Sequence, residues 1–186
     1  HGQLFLSSPL ETPEVMSGEV DAPGLGGANL HASRSGIACL VADDEDDACA
    51  IAADLLSFLP DHNDAAPPYE ETADPRDRLT EDLESIVPDN PNKPYDMVSV
   101  IETIVDDGRF VQLFDAYAEN IIIGFARLGG RSVGVIANQP QVLAGCLDID
   151  ASIKAARFIR TCDAFNLPLL TVEDVPGFLP LSLIHI

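Results

Sequence analysis

The chain has 186 residues, which is enough to bury a sizeable core as one domain or as parts of two. Hydrophobic residues make up 46% of it and charged residues 22%, as in an ordinary globular protein, but the net charge of −21 disfavours any binding to nucleic acid. Residues 1–126 carry 26 of the 31 acids and five of the ten bases, so the final third is neutral and has the composition of a protein core.

The first 60 residues contain one well-defined predicted helix. Asp43–Leu59 has its acidic residues in the first turn, with Asp43 or Asp44 as the N-cap, and Pro60 ends it. GQLFLSS (Gly2–Ser8), with Leu4, Phe5 and Leu6 apolar, predicts a short strand before it. The glycine cluster in Ala22–His31 lacks the spacing of a phosphate loop and predicts a tight turn. The apolar residues of the helix recur at three- and four-residue spacing and predict one buried stripe, formed by Ala48, Ile51, Ala52, Leu55, Phe58 and Leu59.

The segment Asp61–Pro94 has the composition of a linker. It is rich in proline and acidic residues and contains few large apolar residues, so we place a domain boundary here. Four apolar residues are expected to anchor it against a domain: Leu79, Leu83, Ile86 and Val87.

The next region predicts a helix followed by a β-hairpin. Met97–Val105 repeats apolar residues on one helical face, and Gly108 ends the helix. Phe110–Phe114 is interpreted as a second short helix. Two β-rich runs flank Gly129-Gly130, the pattern of a tight hairpin. Three residues of the second run are expected to be buried: Val133, Val135 and Ile136.

The stretch from Asn138 to Pro180 predicts a βαβ unit. A polar loop leads from the end of the hairpin to Asp150, which is expected to cap a helix beginning at Ala151. Leu167–Val172 is an unbroken apolar run, typical of a parallel strand covered on both faces. Two parallel strands bridged by a helix should cross over with right-handed geometry.

The candidate site lies where two predicted strands end, because α/β enzymes bind ligands at that edge of the sheet. It combines the loop Asn138–Cys146 with the turn Asp174–Phe178. Gly145 and Gly177 would free backbone N–H groups there, close to side-chain amides, and such groups suit the stabilisation of a developing oxyanion. The alternative is that these glycines only permit turns.

Other kinds of site are disfavoured. The cysteines form no CxxC pair and do not cluster with the histidines, so we predict no metal site and free thiols in a reducing, cytoplasmic compartment. No signal peptide or membrane-spanning run is visible, and the ends of the chain look like cuts in a longer protein. The cysteines are Cys39, Cys49, Cys146 and Cys162.

Several long motifs follow one another along the chain. The longest is NQPQVLAGCLDIDASIKAARFIRTCDAFNLPLLT, and DVPGFLP follows it. Together with IVPDNPNKPYDM (Ile86–Met97), VIETIVDDGRF and NIIIGFARLGGRSVGVIANQP, they resemble the carboxyltransferase (β) subunit of biotin-dependent acyl-CoA carboxylases of the propionyl-CoA and acetyl-CoA type. Weaker similarity is found in SGEV (Ser17–Val20), LGGANLH (Leu25–His31) and DLLSFLP (Asp54–Pro60), so the resemblance covers nearly the whole chain.

The resemblance implies a crotonase-like (ClpP/crotonase) α/β fold with two domains per subunit and active sites between the N-domain of one subunit and the C-domain of another. Residues 1–60 would end the N-terminal carboxyltransferase domain, 61–94 would be the linker, and 95–180 would begin the C-terminal domain. Residues 181–186, LSLIHI, match nothing in the family and are interpreted as a non-native tail. The implied assembly is a homo-oligomer, a dimer of domains that builds a hexamer in the full-length protein.

The implied reaction moves a carboxyl group from carboxybiotin to the α-carbon of a short-chain acyl-CoA, with propionyl-CoA expected and acetyl-CoA as the alternative. Biotin would be carried on a separate domain or subunit, and a biotin carboxylase would be a partner. AGCLDI (Ala144–Ile149) resembles the AGxDI segment of crotonase-fold proteins, which implies that Gly145 and the N–H of Cys146 line an oxyanion hole while the thiol only packs. The residues expected to bind substrate are Asn138, Gln139, Pro140, Ala144, Asp174, Pro176, Gly177 and Phe178.

This sequence departs from the family pattern in places. The GGA segment that would supply the second oxyanion donor is absent, so we expect the chain alone to be inactive. Glu173 stands where the family has an apolar residue in a buried strand, and burying that carboxylate unpaired would be costly. Leu181 replaces a glycine, and Ser7-Ser8 stands where glycines are common.

Three other functions stay open. A methylmalonyl-CoA decarboxylase or transcarboxylase subunit would share these motifs. A non-catalytic piece would contribute oligomer contacts only. A dinucleotide-binding oxidoreductase is the most distant, because no acidic ribose-binding residue follows a proper glycine loop.

Overall fold

The structure is a computed structural model that describes residues 2–5, 22–75, 77–80, 82–90 and 93–179. Leu6, Ser7-Ser8, the SGEV motif, Pro180 and the tail 181–186 lie outside the described residues. The helices are α1 (Ala22–Gly26), α2 (Ala28–Ser33), α3 (Glu45–Leu56), α4 (Leu83–Ile86), α5 (Met97–Ile104) and α6 (Ile149–Ala164). The strands are β1 (Phe110–Leu113), β2 (Ile121–Leu128), β3 (Arg131–Asn138) and β4 (Leu169–Val172).

The four strands form one sheet in the order β1-β2-β3-β4. The first three are antiparallel neighbours, and β4 lies parallel to β3 after the α6 connection, which confirms the predicted βαβ unit. The predicted hairpin is also confirmed, since Leu128 pairs with Arg131 across Gly129-Gly130. Both glycines have positive φ, 58° and 80°, as a two-residue hairpin turn requires.

Buried apolar residues cover both faces of the sheet. β2 contributes to both sides because successive side chains of a strand point in opposite directions, and Ile121, Ile122 and Ile123 are all buried. The cluster on the α6 face contains Phe58, Leu113, Ile121, Ile123, Phe125, Ile136, Ala151, Phe158, Cys162 and Leu167. The cluster on the α5 face contains Met97, Val100, Ile101, Val105, Ile122, Ala126, Val133, Val135 and Ala137. None of the helices in the described ranges is long and apolar enough to cross a bilayer.

The predicted helix at Phe110–Phe114 is wrong, because Phe110–Leu113 forms β1. Its residues pair antiparallel with β2, from Phe110 opposite Ala126 to Leu113 opposite Ile123. The sequence FVQL is rich in β-branched and aromatic residues, and it also places Leu113 in the core. Pairing with a neighbouring strand therefore decided the conformation of this short segment.

Helix α3 begins where the sequence predicts, but its buried stripe does not form. Asp44 is the N-cap, and its side chain accepts a hydrogen bond from the N–H of Asp47 at 2.8 Å. The helix ends at Leu56, and none of its residues is buried. Phe58, just after the helix, is fully buried and stacks on Phe125 with ring centroids 5.8 Å apart. Among the described residues, α3 therefore reaches the core only through its C-terminal end. The predicted domain boundary after this helix stays a prediction.

Helix α6 and strand β4 also differ from the sequence expectation. The N-cap is Asp148 instead of Asp150, since the extended backbone of Asp148 lets its carboxylate accept from the N–H of Ala151 at 2.8 Å. Strand β4 is only partly buried, with Leu169 42% exposed, because it is the edge strand of this sheet. Glu173 follows the strand and is exposed, so the costly buried carboxylate does not occur.

The N-terminal glycine cluster forms short helices and not the predicted tight turn. Helices α1 and α2 flank Gly27, whose φ of −73° is an ordinary extended value. The glycines serve close packing here, since a Cβ on Gly26 would lie 2.4 Å from the carbonyl oxygen of Leu4. Within the described residues 2–5, Gln3 forms an isolated antiparallel bridge with Gly27, and the rest of the predicted strand, from Leu6 to Ser8, lies outside the described residues.

The proline-rich segment 61–94 is held along the sheet. The N–H of Glu70 donates to the carbonyl of Gly130 at 2.8 Å, and Arg78 donates to the carbonyls at the end of α5. Leu83 and Ile86, in α4, pack against the α5 face as predicted. The other two predicted anchors are exposed: Leu79 by 86% and Val87 by 42%.

Candidate active site

The two loops of the predicted site leave the same edge of the sheet and touch each other. β3 and β4 are parallel, so the loop after Asn138 and the turn after Val172 start side by side. Leu147 and Phe178 then form a parallel bridge: the N–H of Leu147 donates to the carbonyl of Gly177 at 3.2 Å, and the N–H of Leu179 donates to that of Leu147 at 2.9 Å. Segments that lie far apart in the sequence are thereby fixed against each other.

The centre of the loop, the Leu143–Gly145 turn, has an unusual backbone. Leu143, Ala144 and Gly145 all have positive φ, at 51°, 53° and 76°. Left-handed conformations cost an L-residue about 1–2 kcal/mol each, and such strain is concentrated at functional sites. At Gly145 a side chain is excluded as well, because a Cβ there would lie 2.7 Å from the carbonyl oxygen of Asp174.

The two amides predicted to line an oxyanion hole both donate within this loop. The N–H of Gly145 donates to the carbonyl of Val142 at 2.9 Å, and the N–H of Cys146 donates to that of Leu143 at 3.0 Å. Gly145 is buried and Cys146 half-buried. A ligand oxygen would therefore have to share the Cys146 N–H with Leu143, as three-centre hydrogen bonds do, or replace that carbonyl.

Buried side-chain amides hold the far side of the same turn. Asn138 is 5% exposed, and its Nδ2 donates to the carbonyl of Gly145 at 3.0 Å. Asn120 is 2% exposed, and its Nδ2 donates to the carbonyl of Cys146 at 2.9 Å. The side-chain amide of Asn138 therefore supports the loop backbone, and its contact with substrate stays a prediction. Sequence reasoning missed Asn120 altogether.

Gln139, also expected to bind substrate, is buried and joins the loop to the start of α5. Its Oε1 accepts from the N–H groups of Met97 at 3.2 Å and Gln141 at 3.4 Å, while its Nε2 donates to Oδ1 of Asp96 at 2.7 Å. Asp96 is also the N-cap of α5, since it accepts from the N–H of Val98 at 2.9 Å. This network fixes the end of the proline-rich segment on the site loop.

A cleft of about 750 Å³ opens between that segment and the two loops. Four of the predicted substrate-binding residues line it: Pro140, Ala144, Asp174 and Pro176. Gly177 and the 65% exposed Phe178 lie outside its lining. The opposite wall comes from Tyr95 and from residues that sequence reasoning assigned to the linker, which are Val87, Pro88, Asp89, Asn90, Lys93 and Pro94.

Tyr95 closes one side of this cleft. Its hydroxyl donates to Oδ2 of Asp174 at 2.8 Å. Burial, and then the hydrogen bond and charge of Asp174, raise the pKa of Tyr95 to about 12, so it stays a neutral donor at physiological pH. The available signal was the motif IVPDNPNKPYDM, which contains this residue, although the part of the motif up to Pro94 was interpreted as linker because of its composition.

The cleft provides the phenol of Tyr95 and the ammonium of Lys93, while Gly145 and Cys146 lie next to its lining residue Ala144 and outside the lining itself. The described residues contain no group of three His, Cys, Asp or Glu side chains placed to hold a metal ion. A volume of about 750 Å³ falls within the range of small-molecule sites, which is about 300–1,000 Å³. The arrangement can bind an organic ligand and stabilise negative charge on an oxygen atom.

Comparison with known proteins agrees with this geometry. A family model described as the carboxyl transferase domain matches residues 1–182. The chain is 51% identical over 178 residues to the methylmalonyl-CoA decarboxylase subunit alpha of Veillonella parvula, covering 96% of this chain and 35% of that protein. It is 49% identical over 177 residues to the propionyl-CoA carboxylase beta chain of Roseobacter denitrificans, covering 95% of this chain and 35% of that protein.

Among solved structures, transcarboxylase 12S has a TM-score of 0.91 and 46% sequence identity, covering 96% of this chain and 34% of that one. That structure is described as a hexamer assembly with methylmalonyl-coenzyme A and methylmalonic acid bound. This chain thus spans about a third of the length of the relatives it matches.

Proposed function

The chain belongs to the carboxyl transferase domain family, and we propose that the protein containing it transfers a carboxyl group from biotin to the α-carbon of a short-chain acyl-CoA, with propionyl-CoA first and acetyl-CoA as the alternative. The match to transcarboxylase 12S confirms the predicted α/β carboxyltransferase fold. The family and its biotin-dependent carboxylase relatives support the reaction class, while the acyl group is the finer part of the proposal.

The observation that carries this proposal is the strained turn at Leu143–Gly145, held at the edge of a cleft of about 750 Å³. Carboxylation at an α-carbon passes through an enolate, whose charge lies on the thioester oxygen. A preorganised N–H that points at this oxygen stabilises the enolate without a protein nucleophile. We assign this role to the N–H of Cys146, shared with the carbonyl of Leu143.

Biotin on a separate carrier would supply the carboxyl group. The cleft is large enough for such a ring, and its exposed wall at Ala144 and Pro176 leaves an open side for a tethered ligand. The proposed partners are a biotin carrier, a biotin carboxylase and further copies of the subunit, which would form a hexamer like the assembly described for transcarboxylase 12S. The free cysteines support a reducing cytoplasmic location.

A second candidate is a methylmalonyl-CoA decarboxylase, which runs the same transfer in the opposite direction. The 51% identity to the Veillonella subunit favours it. The two are distinguished by purifying the full-length protein together with its own partner subunits and incubating this complex with [carboxyl-14C]methylmalonyl-CoA, or with propionyl-CoA, ATP and bicarbonate. A carboxylase shows ATP-dependent incorporation of bicarbonate into propionyl-CoA, whereas a decarboxylase only transfers label out of methylmalonyl-CoA.

The role of Cys146 can be tested with two substitutions. Cys146→Pro removes the N–H, and the backbone φ of −61° at this position already suits proline. Cys146→Ala keeps the N–H and removes only the thiol. We expect Cys146→Pro to lower kcat about 100- to 1,000-fold, the loss typical of one oxyanion donor, and Cys146→Ala to stay within about threefold of wild type.

Full activity of Cys146→Pro would refute the assigned donor, and loss of activity in Cys146→Ala would point to thiol chemistry instead. Circular dichroism of both variants shows whether the fold is kept. We also propose that residues 1–186 alone are inactive; carboxyl transfer to free biotin by this isolated chain would contradict that.

A further inference from the structure

We propose that Asn120 and Asn138 are positioning residues that fix the peptide planes on the two sides of Cys146 and so hold its N–H in one direction, an inference that rests on the proposed function. The two side chains lie at the same end of the sheet, because Asn138 ends β3 and Asn120 immediately precedes β2, where Ile121 pairs with Asn138. The N–H of Gln139 donates to the carbonyl of Asn120 at 3.1 Å, which holds the two positions together.

Each asparagine fixes one peptide plane of the turn. A peptide group is planar, so the direction of a carbonyl also determines the direction of the next N–H. Asn138 holds the carbonyl of Gly145 and thereby the N–H of Cys146. Asn120 holds the carbonyl of Cys146 and thereby the N–H of Leu147, which donates to the opposite loop.

The turn needs such support because of its conformation. Leu143 and Ala144 are L-residues in the left-handed region, and local preference alone would relax them toward ordinary φ values. Both asparagines are buried, at 2% and 5% exposure, so they act on the reaction through the turn and not through contact with substrate. Their side-chain amides are rigidly placed by the strands that carry them.

The prediction concerns turnover more than substrate affinity. A ground-state thioester carbonyl gains little from an ideally aimed donor, whereas an enolate oxygen gains much. Asn138→Asp and Asn120→Asp keep the size of the side chain but place a carboxylate oxygen against a carbonyl oxygen, so the turn should shift. We expect kcat to fall about 10- to 100-fold in each variant, while the Kd for propionyl-CoA, measured by calorimetry, changes less than about threefold.

The control is Arg78→Met in the full-length protein. It also removes side-chain hydrogen bonds to backbone carbonyls, those of Ile104 and Val105 at 3.1 and 2.8 Å, but these lie at the end of α5 and outside the cleft lining. It should lower thermal stability while leaving kcat within about threefold of wild type. An equal fall in kcat for Arg78→Met would show that the asparagines act only through general stability, and unchanged kcat in both asparagine variants would overturn the proposal.

Hydrogen exchange separates this inference from the proposed function. The Cys146 and Leu147 amides should exchange at least about tenfold faster in the asparagine variants than in wild type or Arg78→Met, because the bonds that hold their peptide planes are lost. A wild-type protein with no carboxyl transfer would refute the proposed function, while unchanged exchange in both variants would refute the positioning role whatever the activity.

Discussion

Replacing Lys154 with Met should destabilise the fold strongly, although lysine is usually a surface residue. Lys154 lies in α6 and is 3% exposed. Its Nζ donates to three carbonyls of the loop between β1 and β2 and to that of the first residue of β2: Phe114 (2.8 Å), Tyr117 (2.7 Å), Ala118 (3.2 Å) and Ile121 (2.8 Å). Phe114 and Ala118 have positive φ, so the loop depends on this ammonium group for its conformation.

The magnitude follows from which carbonyls lose their partners. An ammonium has three N–H donors, and each hydrogen bond to a charged group contributes about 1.5–3 kcal/mol. The carbonyls of Phe114 and Ala118 also accept from the N–H groups of Tyr117 and Ile121, each at 3.1 Å, so they are not left without a donor. Removing the buried charge also removes its desolvation cost. We therefore expect a loss of about 3 kcal/mol instead of the full sum.

The assay is urea unfolding followed by far-ultraviolet circular dichroism at pH 7, with Arg160→Met as the control on the exposed side of the same helix. Met keeps the apolar stem of Lys154, so the comparison isolates the ammonium group. A loss of about 3 kcal/mol corresponds to a fall of roughly 6–12 °C in Tm for a chain of this size. The control should change by less than about 0.5 kcal/mol. A loss below about 1 kcal/mol in Lys154→Met would refute the reasoning.

Three further predictions concern the pKa of Lys154 and two contacts elsewhere. Burial lowers the pKa of Lys154 to about 8, so between pH 8 and about 10.4 the unfolded chain binds more protons than the folded one. The unfolding free energy of wild type relative to Lys154→Met should therefore rise across this range by up to about 3 kcal/mol. A difference between the two proteins that does not change with pH would contradict the lowered pKa. Tyr95→Phe removes the hydroxyl that donates to Asp174 and should raise KM for acyl-CoA several-fold with a smaller change in kcat; unchanged kinetics would show that this contact does not shape the cleft. Gly134→Ala should cost about 1–3 kcal/mol by overpacking, because its Cβ would lie 2.5 Å from Sγ of Cys162, and Cys162→Ala should recover part of this loss in thermal unfolding of the double variant; additive losses would show that another neighbour is responsible.

Local signals predicted much of the fold. The hairpin at Gly129-Gly130, the capping aspartate before α3 and the apolar run of β4 each depend on neighbouring residues, and each element is present. The helix prediction at Phe110–Phe114 was wrong because so few residues carry too little periodicity to separate a helix from a strand. Pairing with β2 made Phe110–Leu113 a strand. The prediction of a buried stripe on α3 was wrong because periodicity shows which residues share a helix face but not whether another element covers that face.

The sequence predicted the two loops of the site but not the residues that hold these loops in place. Gly145 and the turn at Asp174 could be found because glycines and family motifs mark them. Asn120 acts on Cys146 from 26 positions away, and Tyr95 acts on Asp174 from 79 positions away. No local pattern reports such contacts, so only the folded chain shows that the side-chain amide of Asn138 faces the loop backbone instead of the cleft.

Three basic residues of this acidic chain donate to backbone carbonyls, either near the end of a helix or in a loop. Arg78 donates to the carbonyls at the end of α5, and Arg127 donates to the carbonyl of Ser57, the C-cap of α3, at 3.1 Å. Helix C-termini leave carbonyls unpaired and favour positive charge, and the loop held by Lys154 presents the same need without a helix. With ten bases against 31 acids, these residues cannot neutralise the surface. Their contribution is therefore to bind the carbonyls at helix ends and in a loop, and not to balance the negative charge of the surface.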